Sequence, residues 1–354
     1  MSLNFIHIIG ARPHFIKAFL IINELKKNGA KNIILHSGQH YDFNMSETFF
    51  KEFSLPKPYK NLNIGSLSHG AQTGRLLELI EKELKNHTQY QVIVYGDTNT
   101  TLAGALAAVK LNMPLVHIEA GLRTPSKESP EEVNRRICDH ISTINFAPTI
   151  SAYQNLIKEG INKQNIKFCG DVMFDSTMYS LKNVQKKIEL PKKYALVTIH
   201  RAENTDNKTY LRNIVFGLIE LRNEIELVFS MHPRTQKYLK KEKLYNILSK
   251  SVKIIEPQKH ASLLNIIKKS EFVISDSGGI PKEAAFLKKK SIIIRDYAIW
   301  NELIDQKWSI LVQPNKAKKL LLYSKRLINL KNDRIIKGFG RGNAARKIAK
   351  HLSN

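Results

Sequence analysis

Residues 4–17 read NFIHIIGARPHFIK, and this stretch decides the fold. An apolar run from Asn4 to Ile9 leads into the short turn Gly10-Ala11-Arg12. Pro13 follows, and proline suits the first turn of a helix because its missing N–H would have no partner there. A strand that leads through a tight turn into a helix is the unit of parallel α/β layers.

The same unit returns along the whole chain in two series. Strands are predicted at 4–9, 31–36, 91–95 and 114–118 in the first series, and at 194–199, 226–230, 252–255, 272–275 and 291–294 in the second. The 354 residues also exceed the size at which one hydrophobic core usually stops growing. We therefore predict an α/β fold of two Rossmann-like, doubly wound domains that face a cleft, with domains at 1–172 and 173–336 and a final helix in 337–354.

Several classes of protein are disfavoured by composition. The chain has no apolar run of the roughly 18 residues expected of a spanning helix, and its N-terminus lacks the pattern of a secretion signal. Its two cysteines, Cys138 and Cys169, lack C-x-x-C spacing, which favours two reduced, packed thiols over a disulfide or zinc site. We expect a cytoplasmic protein without a metal or other cofactor.

The formal net charge of +25 raises the possibility of a nucleic-acid partner. Most of the excess is lysine, scattered in short groups such as Lys240-Lys241 and Lys288-Lys289-Lys290 rather than laid in one stripe with aromatic residues. This pattern is typical of a solvated surface, or of one that steers an anionic substrate or touches an anionic membrane. It predicts neither a specific nucleic-acid partner nor stable membrane insertion.

In the first half, acidic residues stand at the ends of predicted strands. Asp97 follows the strand that ends at Tyr95, and Glu119 follows the strand that contains His117. Asp97 could instead cap a helix. A carboxylate that ends a nearly continuous apolar run is harder to explain as solvated surface, so Glu119 is a candidate for acid/base chemistry.

A helix start is predicted at Ser129-Pro130-Glu131-Glu132, with Ser129 as the cap and Glu132 closing a capping box. Glu131 and Arg135 would then lie four residues apart on one face, as a functional pair or as an ordinary surface pair. Near the N-terminus, Arg12 and Lys17 could both reach the carboxyl edge of the same sheet, although either could equally be a surface cation.

In the second half, His200 follows the strand that ends at Ile199, and His232 follows the strand that ends at Ser230. Both should reach one sheet edge, unless either is a buried structural histidine. A metal site is disfavoured because no third ligand occurs at a standard spacing.

A second feature of this half is the turn Ser277-Gly278-Gly279, which joins an apolar strand to a helix opening at Pro281. Glycines allow close backbone approach, and a helix N-terminus attracts anions. Glu283, in the first turn, could accept a hydrogen bond from a sugar hydroxyl or merely complement the helix dipole.

These motifs, in this order and over nearly the whole chain, resemble the non-hydrolysing UDP-N-acetylglucosamine 2-epimerase family. The family has a fold of the glycosyltransferase-B type. The matching segments are Gly10–Pro13 with Lys17, Gly38-Gln39-His40, Gly96-Asp97-Thr98, Glu119–Arg123, Pro130–Arg135, His200–Asn204 and Asp276–Gly279.

The resemblance implies an isomerase that eliminates UDP across C1–C2 of the sugar to give a 2-acetamidoglucal, and then adds UDP back. Asp97, Glu119 and Glu131 would be the acid/base carboxylates, and His232 would lie near the sugar and the diphosphate. Residues implied to bind the substrate are Arg12, Lys17, Arg135, His200, Ser277, Gly278, Gly279 and Glu283. It further implies UDP binding by the second domain, return of the last helix to the first domain, a homodimer and a role in surface polysaccharide precursors.

The chain departs from the family pattern at Pro281-Lys282 and at Ala298-Ile299, where polar residues are usual. Gln39–Asp42 also differs from the pattern linked to allosteric UDP-GlcNAc binding in some members. Other segments, among them His69–Gly74 and His200–Asp206, resemble the branch that acts on UDP-2,3-diacetamido-glucuronic acid. Four readings stay open: an epimerase of either substrate, a hydrolysing epimerase, a glycosyltransferase, and a non-catalytic UDP-sugar-binding or nucleic-acid-binding protein.

Overall fold

The computed structural model describes residues 3–38, 55–65, 67–124, 129–183, 189–331 and 335–353. The chain divides into two compact units, the first formed by residues 1–176 with 338–354 and the second by residues 177–337. No helix in the described ranges is long and apolar enough to cross a membrane.

The first unit is built on a parallel sheet of seven strands in the order β3-β2-β1-β4-β5-β6-β7. The strands are β1 (Asn4–Ile9), β2 (Lys31–His36), β3 (Lys60–Asn61), β4 (Gln91–Tyr95), β5 (Leu115–Ile118), β6 (Ile144–Ala147) and β7 (Ile166–Phe168). The four predicted strands are confirmed to within one residue. The sequence did not predict the other three, which have only two to four residues.

Helices cover both faces of this sheet. They are α1 (Arg12–Lys27), α2 (His69–Leu84), α3 (Asn99–Lys110), α4 (Pro130–Ile141), α5 (Ile150–Lys158), α6 (Val172–Ser180) and the C-terminal α15 (Ala344–Ser353). Helix α15 packs on α1, where the amide of Asn28 donates a hydrogen bond to the hydroxyl of Ser353 at 3.0 Å.

The second unit has a parallel sheet of six strands in the order β10-β9-β8-β11-β12-β13. The strands are β8 (Tyr194–Thr198), β9 (Glu226–Ser230), β10 (Lys253–Ile255), β11 (Phe272–Ser275), β12 (Lys290–Ile294) and β13 (Ser309–Val312). The helices are α7 (Ala202–Thr205), α8 (Lys208–Leu221), α9 (Pro233–Lys241), α10 (Tyr245–Ser249), α11 (His260–Lys269), α12 (Ile280–Phe286), α13 (Asn301–Asp305) and α14 (Leu320–Asn329). The predicted α/β class with two Rossmann-like sheets is confirmed.

Strand β8 shows why the apolar runs are continuous rather than alternating. Ala195 and Val197 pack into one buried cluster with α8, whereas Tyr194 and Leu196 pack into another with α11. A strand covered on both faces must be apolar at every position. Both predicted thiols are confirmed as free and buried, and burial raises the pKa of Cys138 and of Cys169.

The two sheets share one strand order, and this order predicts where ligands bind. In each sheet the chain winds outward from its first strand in one direction and then reverses, at β1 and β4 in the first sheet and at β8 and β11 in the second. Ligands of such folds bind beyond the carboxyl ends of the strands at this point of reversal. The motifs at Gly10, Asp97, His200 and Asp276 directly follow these four strands.

Candidate active site

Two carboxylates of the first unit follow neighbouring strands. Tyr95 of β4 lies level with Ile118 of β5, and the N–H of Gly96 donates to the carbonyl of Ile118 at 3.0 Å. Asp97 and Glu119 therefore leave the sheet at the same edge, as the sequence predicted. Carboxylates on adjacent strand ends can act together on one bound molecule.

Glu119 adopts a left-handed backbone conformation with φ of +72°. This region is costly for residues with a side chain, and such outliers cluster at functional sites. The Glu119 carboxylate forms an ion pair with the ammonium of Lys17, and the two side chains are only 13% and 6% exposed. The strained backbone and the buried cation together fix one orientation of this carboxylate.

Gly96 lies beside that ion pair, and its positive φ is what requires glycine. A Cβ at this position would lie 3.5 Å from Oε2 of Glu119 and 3.7 Å from Nζ of Lys17, and Gly96 itself has a φ of +64°. A side chain here would be strained and would stand against both charged groups. The glycine of the Gly-Asp-Thr motif is thus explained by the conformation of the site.

Asp97 pairs with the guanidinium of Arg135 from helix α4, and Nη1 of Arg135 also donates to Oε2 of Glu132 at 3.1 Å. Asp97 is 29% exposed. It does not cap the helix that follows, because Thr98 is the N-cap of α3 and accepts a hydrogen bond from the N–H of Thr101. The capping interpretation of Asp97 is therefore wrong.

The predicted capping box at the start of α4 does not form. The helix does begin at Pro130 after Ser129, but Ser129 donates to Oε2 of Glu131 at 2.6 Å instead of capping the helix. Glu132 accepts a hydrogen bond from the N–H of Thr124 at 3.1 Å. Glu131, the third proposed carboxylate, is exposed and is held at the helix start by Ser129.

His117 is fully buried and braces the loop that carries the carboxylates. Its Nε2 lies 2.7 Å from the carbonyl oxygen of Gly96, and its Nδ1 lies 2.8 Å from Oδ1 of Asp139 on α4. Oδ2 of Asp139 accepts from the N–H of Gly121 at 3.1 Å. One histidine thus ties β4, β5 and α4 together behind Asp97 and Glu119.

Arg123 anchors the end of the Glu-Ala-Gly-Leu-Arg segment. Its guanidinium donates two hydrogen bonds to Glu159, at 2.7 Å and 2.6 Å, and a third to Oδ2 of Asp139 at 2.7 Å. The hydrogen bond from Arg123 is the main cause of a lowered pKa at Glu159. This arginine serves the conformation of the loop.

In the second unit, Asp276 is fully buried and holds the segment after β8. Its carboxylate accepts from the N–H of His200 at 3.0 Å, from the N–H of Arg201 at 2.9 Å and from the amide of Asn204 at 3.1 Å. The same Asn204 amide donates to the carbonyl of Ile294 at 3.1 Å. The ends of β8, β11 and β12 are thereby fixed to one another.

His200 and His232 meet at this edge, as predicted, with ring centroids 5.9 Å apart. His232 caps α9, and its Nδ1 accepts from the N–H of Arg234 at 3.1 Å. In its neutral form the ring therefore carries its proton on Nε2. His232 is exposed, so the interpretation as a buried structural histidine is wrong for it.

The turn Ser277-Gly278-Gly279 joins β11 to α12. The N–H groups of Gly279 and Ile280 approach Oγ of Ser277 at 3.3 Å and 3.5 Å, and the carbonyl of Gly278 accepts from the indole of Trp300 at 2.9 Å. A Cβ on Gly278 would lie 2.9 Å from Cδ1 of Ile299. Only glycine fits under this isoleucine without a shift.

Two of the residues that depart from the family pattern, Lys282 and Ile299, each pack against a neighbour in the second unit. Ile299 lies beside Gly278, and Lys282 lies over Trp300. Nζ of the buried Lys282 lies 3.8 Å from the centroid of the Trp300 ring, which is cation–π geometry. Glu283, proposed for a sugar hydroxyl, is buried and its Oε1 lies 2.8 Å from Nε2 of His260. Lys282 and Glu283 are therefore both engaged by neighbouring side chains within the second unit.

The structure leaves some predicted residues undescribed. The side chain of Arg12 and all of Gln39–Asp42 lie outside the described part of the chain. It also reveals residues that the motifs alone did not single out, above all Asp139 and Asn134, whose amide donates to the carbonyl of Asp97 at 2.9 Å. Asp139 lies four residues after Arg135 on α4, a helical spacing that could have indicated it, whereas no such spacing links Asn134 to Arg135.

The known proteins that this chain is similar to include UDP-sugar 2-epimerases. A sequence model of the UDP-N-acetylglucosamine 2-epimerase family matches residues 23–353. A UDP-N-acetylglucosamine 2-epimerase homolog of Methanococcus maripaludis is 44% identical over 357 residues, which cover 98% of each chain. A UDP-2,3-diacetamido-2,3-dideoxy-D-glucuronate 2-epimerase of Pseudomonas aeruginosa is 39% identical over 355 residues, again 98% of each. The crystal structure of the Methanocaldococcus jannaschii UDP-GlcNAc 2-epimerase in complex with UDP-GlcNAc and UDP has a TM-score of 0.88 at 42% identity, over 100% of this chain and 99% of that one.

Proposed function

Because this chain belongs to the UDP-N-acetylglucosamine 2-epimerase family, we propose that it is an isomerase that interconverts UDP-GlcNAc and UDP-ManNAc. The observation that carries the proposal is the conformation of Glu119. Packing alone does not require a partly buried carboxylate with a left-handed backbone, paired with Lys17 and near a second carboxylate on Asp97.

Inversion of the sugar at C2 requires acid/base groups of this kind. The C2 proton of the sugar has no adjacent carbonyl to acidify it, so direct removal would be very slow. Elimination of UDP across C1–C2 gives an acetamidoglucal, and addition of UDP with a proton delivered to the opposite face gives the epimer. The route needs acid/base groups on two faces of the sugar and a firm hold on the departing diphosphate.

We propose Asp97, Glu119 and Glu131 as the acid/base carboxylates. The ion pairs support a role for Lys17 and Arg135 in orienting Glu119 and Asp97, in addition to any contact with the diphosphate. An oriented carboxylate needs no rearrangement when the proton moves, which lowers the barrier.

We propose that the second unit binds UDP at the reversal point of its sheet. His200, His232 and the Ser277–Gly279 turn lie at this edge and would face the diphosphate. Glu283 would accept a ribose hydroxyl, since a carboxylate accepts several hydrogen bonds at once.

A second candidate substrate is UDP-2,3-diacetamido-2,3-dideoxy-glucuronate. It is favoured by the 39% identity to the Pseudomonas aeruginosa epimerase over nearly the full length of both chains. The chemistry at C2 would be the same, because the extra carboxylate and the C3 acetamido group do not take part in the elimination.

The test is to incubate the purified protein separately with the two UDP-sugars and follow the C1 and C2 protons by NMR. We expect UDP-GlcNAc to be converted to UDP-ManNAc until equilibrium. Conversion of only the diacetamido uronate would identify the second substrate, and release of free ManNAc with UDP would identify a hydrolysing enzyme. Stability of both sugars would contradict the proposal.

We further propose that the protein acts in the cytoplasm as a homodimer. Exposed apolar side chains on the neighbouring helices α3 and α4, Val109 at 37% and Val133 at 47%, offer a surface that a second copy could cover. Light scattering after size-exclusion chromatography should give twice the 40.5 kDa chain mass, and a single chain mass would contradict the dimer.

A further inference from the structure

The carboxyl edge of the second sheet carries three buried polar atoms without a hydrogen-bond partner among the described residues. They are Nε of Arg201, Nη1 of Arg295 and Oδ1 of Asn204. Buried donors nearly always have a hydrogen-bond partner, because a donor without one loses its hydrogen bonds to water and gains none in return. Two of these three atoms belong to guanidiniums, which are donors only.

Arg201 follows β8 and begins α7. Its backbone is fixed by Asp276, but its guanidinium donates no hydrogen bond to any residue that the structure describes. Nη2 of Arg201 lies 3.8 Å from the point that a Cβ on Gly278 would occupy. The guanidinium therefore stands beside the turn between β11 and α12.

Arg295 follows β12 on the other side of the same turn, because β11 lies between β8 and β12 in the sheet. It is only 7% exposed, its Nη2 donates to the hydroxyl of Tyr297 at 3.3 Å, and its guanidinium carbon lies 4.9 Å from the Tyr297 ring centroid. Its nearest acidic group is Glu203, at 3.9 Å, whose side chain is 60% exposed. This distant, solvated carboxylate leaves the buried charge largely uncompensated.

The turn between the two arginines cannot compensate an anion by itself. The N–H groups of Ser277 and Gly279 already donate to serine oxygens, at 3.0 Å and 3.3 Å, and α12 is a helix of seven residues. Positive charge at this edge must come from side chains. Guanidiniums are suited to it, since their fork of donors matches the oxygens of phosphate and carboxylate.

From these observations we propose that Arg201 and Arg295 form an oxyanion-binding site on either side of the Ser277–Gly279 turn. Its ligand is a phosphate group of the nucleotide diphosphate, with a carboxylate on the sugar as the other source of the same chemistry. The inference deepens the proposed function by adding two arginines to the UDP-binding edge, and it rests on that function for the identity of the nucleotide.

The test is calorimetric titration of wild type, Arg201→Gln, Arg295→Gln and the double variant with uridine, inorganic pyrophosphate, UDP, UDP-glucose and UDP-glucuronate. Arg212→Gln is the matched control, because Arg212 is exposed on α8 and lies over the Phe216 ring. Arg295→Lys, which keeps the charge but loses the fork, supplements Arg295→Gln should that variant melt early. Arg201→Gln tests the site separately, because it leaves the Arg295 side chain unchanged.

If the site binds phosphate, each glutamine variant weakens UDP and pyrophosphate at least about tenfold. Uridine affinity stays unchanged, and the control behaves as wild type. If the site binds the sugar carboxylate, UDP affinity is retained and only the preference for UDP-glucuronate over UDP-glucose disappears.

The proposal is overturned if the double variant binds every ligand as wild type does, or if the wild type binds neither UDP nor pyrophosphate. Arginine-dependent UDP binding by a protein that epimerises neither UDP-sugar would instead contradict the proposed function and leave the oxyanion site standing.

Discussion

Glu119 combines three features that a structural glutamate would not need together: a φ of +72°, an ion pair to Lys17 and a place above Gly96. The first feature costs stability, the second orients the carboxylate, and the third puts it beside a glycine whose positive φ few other residues could adopt. The same residue stands where the sequence resembles the family's acid/base carboxylate. Its chemistry is therefore the most informative to change.

Replacing Glu119 with Gln keeps the shape and removes the charge, so it should lower kcat by at least about a hundredfold, in line with the loss of a general acid/base. UDP affinity should change little. Glu78→Gln, at an exposed position of α2, is the control. A variant that turns over normally would remove Glu119 from the chemistry, and one that fails to fold would make it a structural residue.

Lys17→Met separates two roles of one cation. The ammonium of Lys17 forms an ion pair with Glu119. Removing this ammonium should therefore lower kcat much more than it weakens UDP binding. Steady-state kinetics and UDP titration give the two quantities. A large loss of UDP affinity with an unchanged kcat would show that Lys17 serves the diphosphate instead.

The sequence predicted that Asp97 and Glu119 share one sheet edge because both follow strands of a parallel sheet. It could not predict their partners. Arg135 pairs with Asp97 rather than with Glu131, four residues away on its own helix, because the contact depends on how α4 packs against α3 and β5. Ion pairs between residues 38 to 102 positions apart are set by tertiary structure.

At the scale of elements, glycines mark where helices pack closely. Gly217 of α8 faces the 3-10 turn at 314–319, and a Cβ there would lie 2.0 Å from the carbonyl oxygen of Ala317. Gly74 of α2 has nothing within 4 Å. Two glycines with the same helical backbone should therefore respond oppositely to one methyl group.

Gly217→Ala should destabilise the protein by about 1–3 kcal/mol, the usual cost of overpacking, because backbone atoms must move. Gly74→Ala should stabilise it by about 0.5–1 kcal/mol, since alanine is the better helix former. Urea unfolding of both variants measures the difference. Equal effects would mean that α8 does not approach Ala317 as described.

The contact between α6 and the start of α15 is predicted to depend on pH through Asp175. Asp175 accepts from the N–H groups of Ala344 and Ala345 at the start of α15, at 3.2 Å and 3.1 Å. Burial raises its pKa from 3.8 to about 6, against the opposing effect of these hydrogen bonds. A raised carboxyl pKa favours the folded state most below pH 3.8, and this contribution is lost as pH rises through about 6.

Asp175→Asn cannot lose a proton in this range. Its free energy of unfolding relative to wild type should therefore rise between about pH 4 and 7, by an amount on the order of 3 kcal/mol at most. Thermal unfolding at a series of pH values gives the curve. A constant difference across the series would show that Asp175 titrates normally.

Strand positions followed from local sequence because buried parallel strands are apolar at every position, as β8 shows. The strands that escaped prediction were short, and the predicted start of α4 is confirmed whereas its predicted capping box does not form. Glu132 instead accepts hydrogen bonds from the N–H of Thr124 and from Arg135, and the folded chain is what brings these groups next to it.

At the scale of the whole molecule, one strand order is used in both units, and each unit places its motifs at its own point of reversal. The carboxylates belong to the first unit, whereas the two histidines and the arginines of the proposed oxyanion site belong to the second. Under the proposed function, acid/base chemistry and nucleotide binding would therefore be carried by separate units of one chain. Composition alone could indicate two units but not this division of roles.

The most direct test of the account is the proton at C2 of the sugar. The protein is incubated with UDP-GlcNAc in deuterated water, and the products are read by proton NMR. The account predicts UDP-ManNAc that carries deuterium at C2, because the proton is removed and replaced from solvent during elimination and addition. Formation of UDP-ManNAc that retains its original C2 proton, or no product from UDP-GlcNAc or the diacetamido uronate, would contradict it.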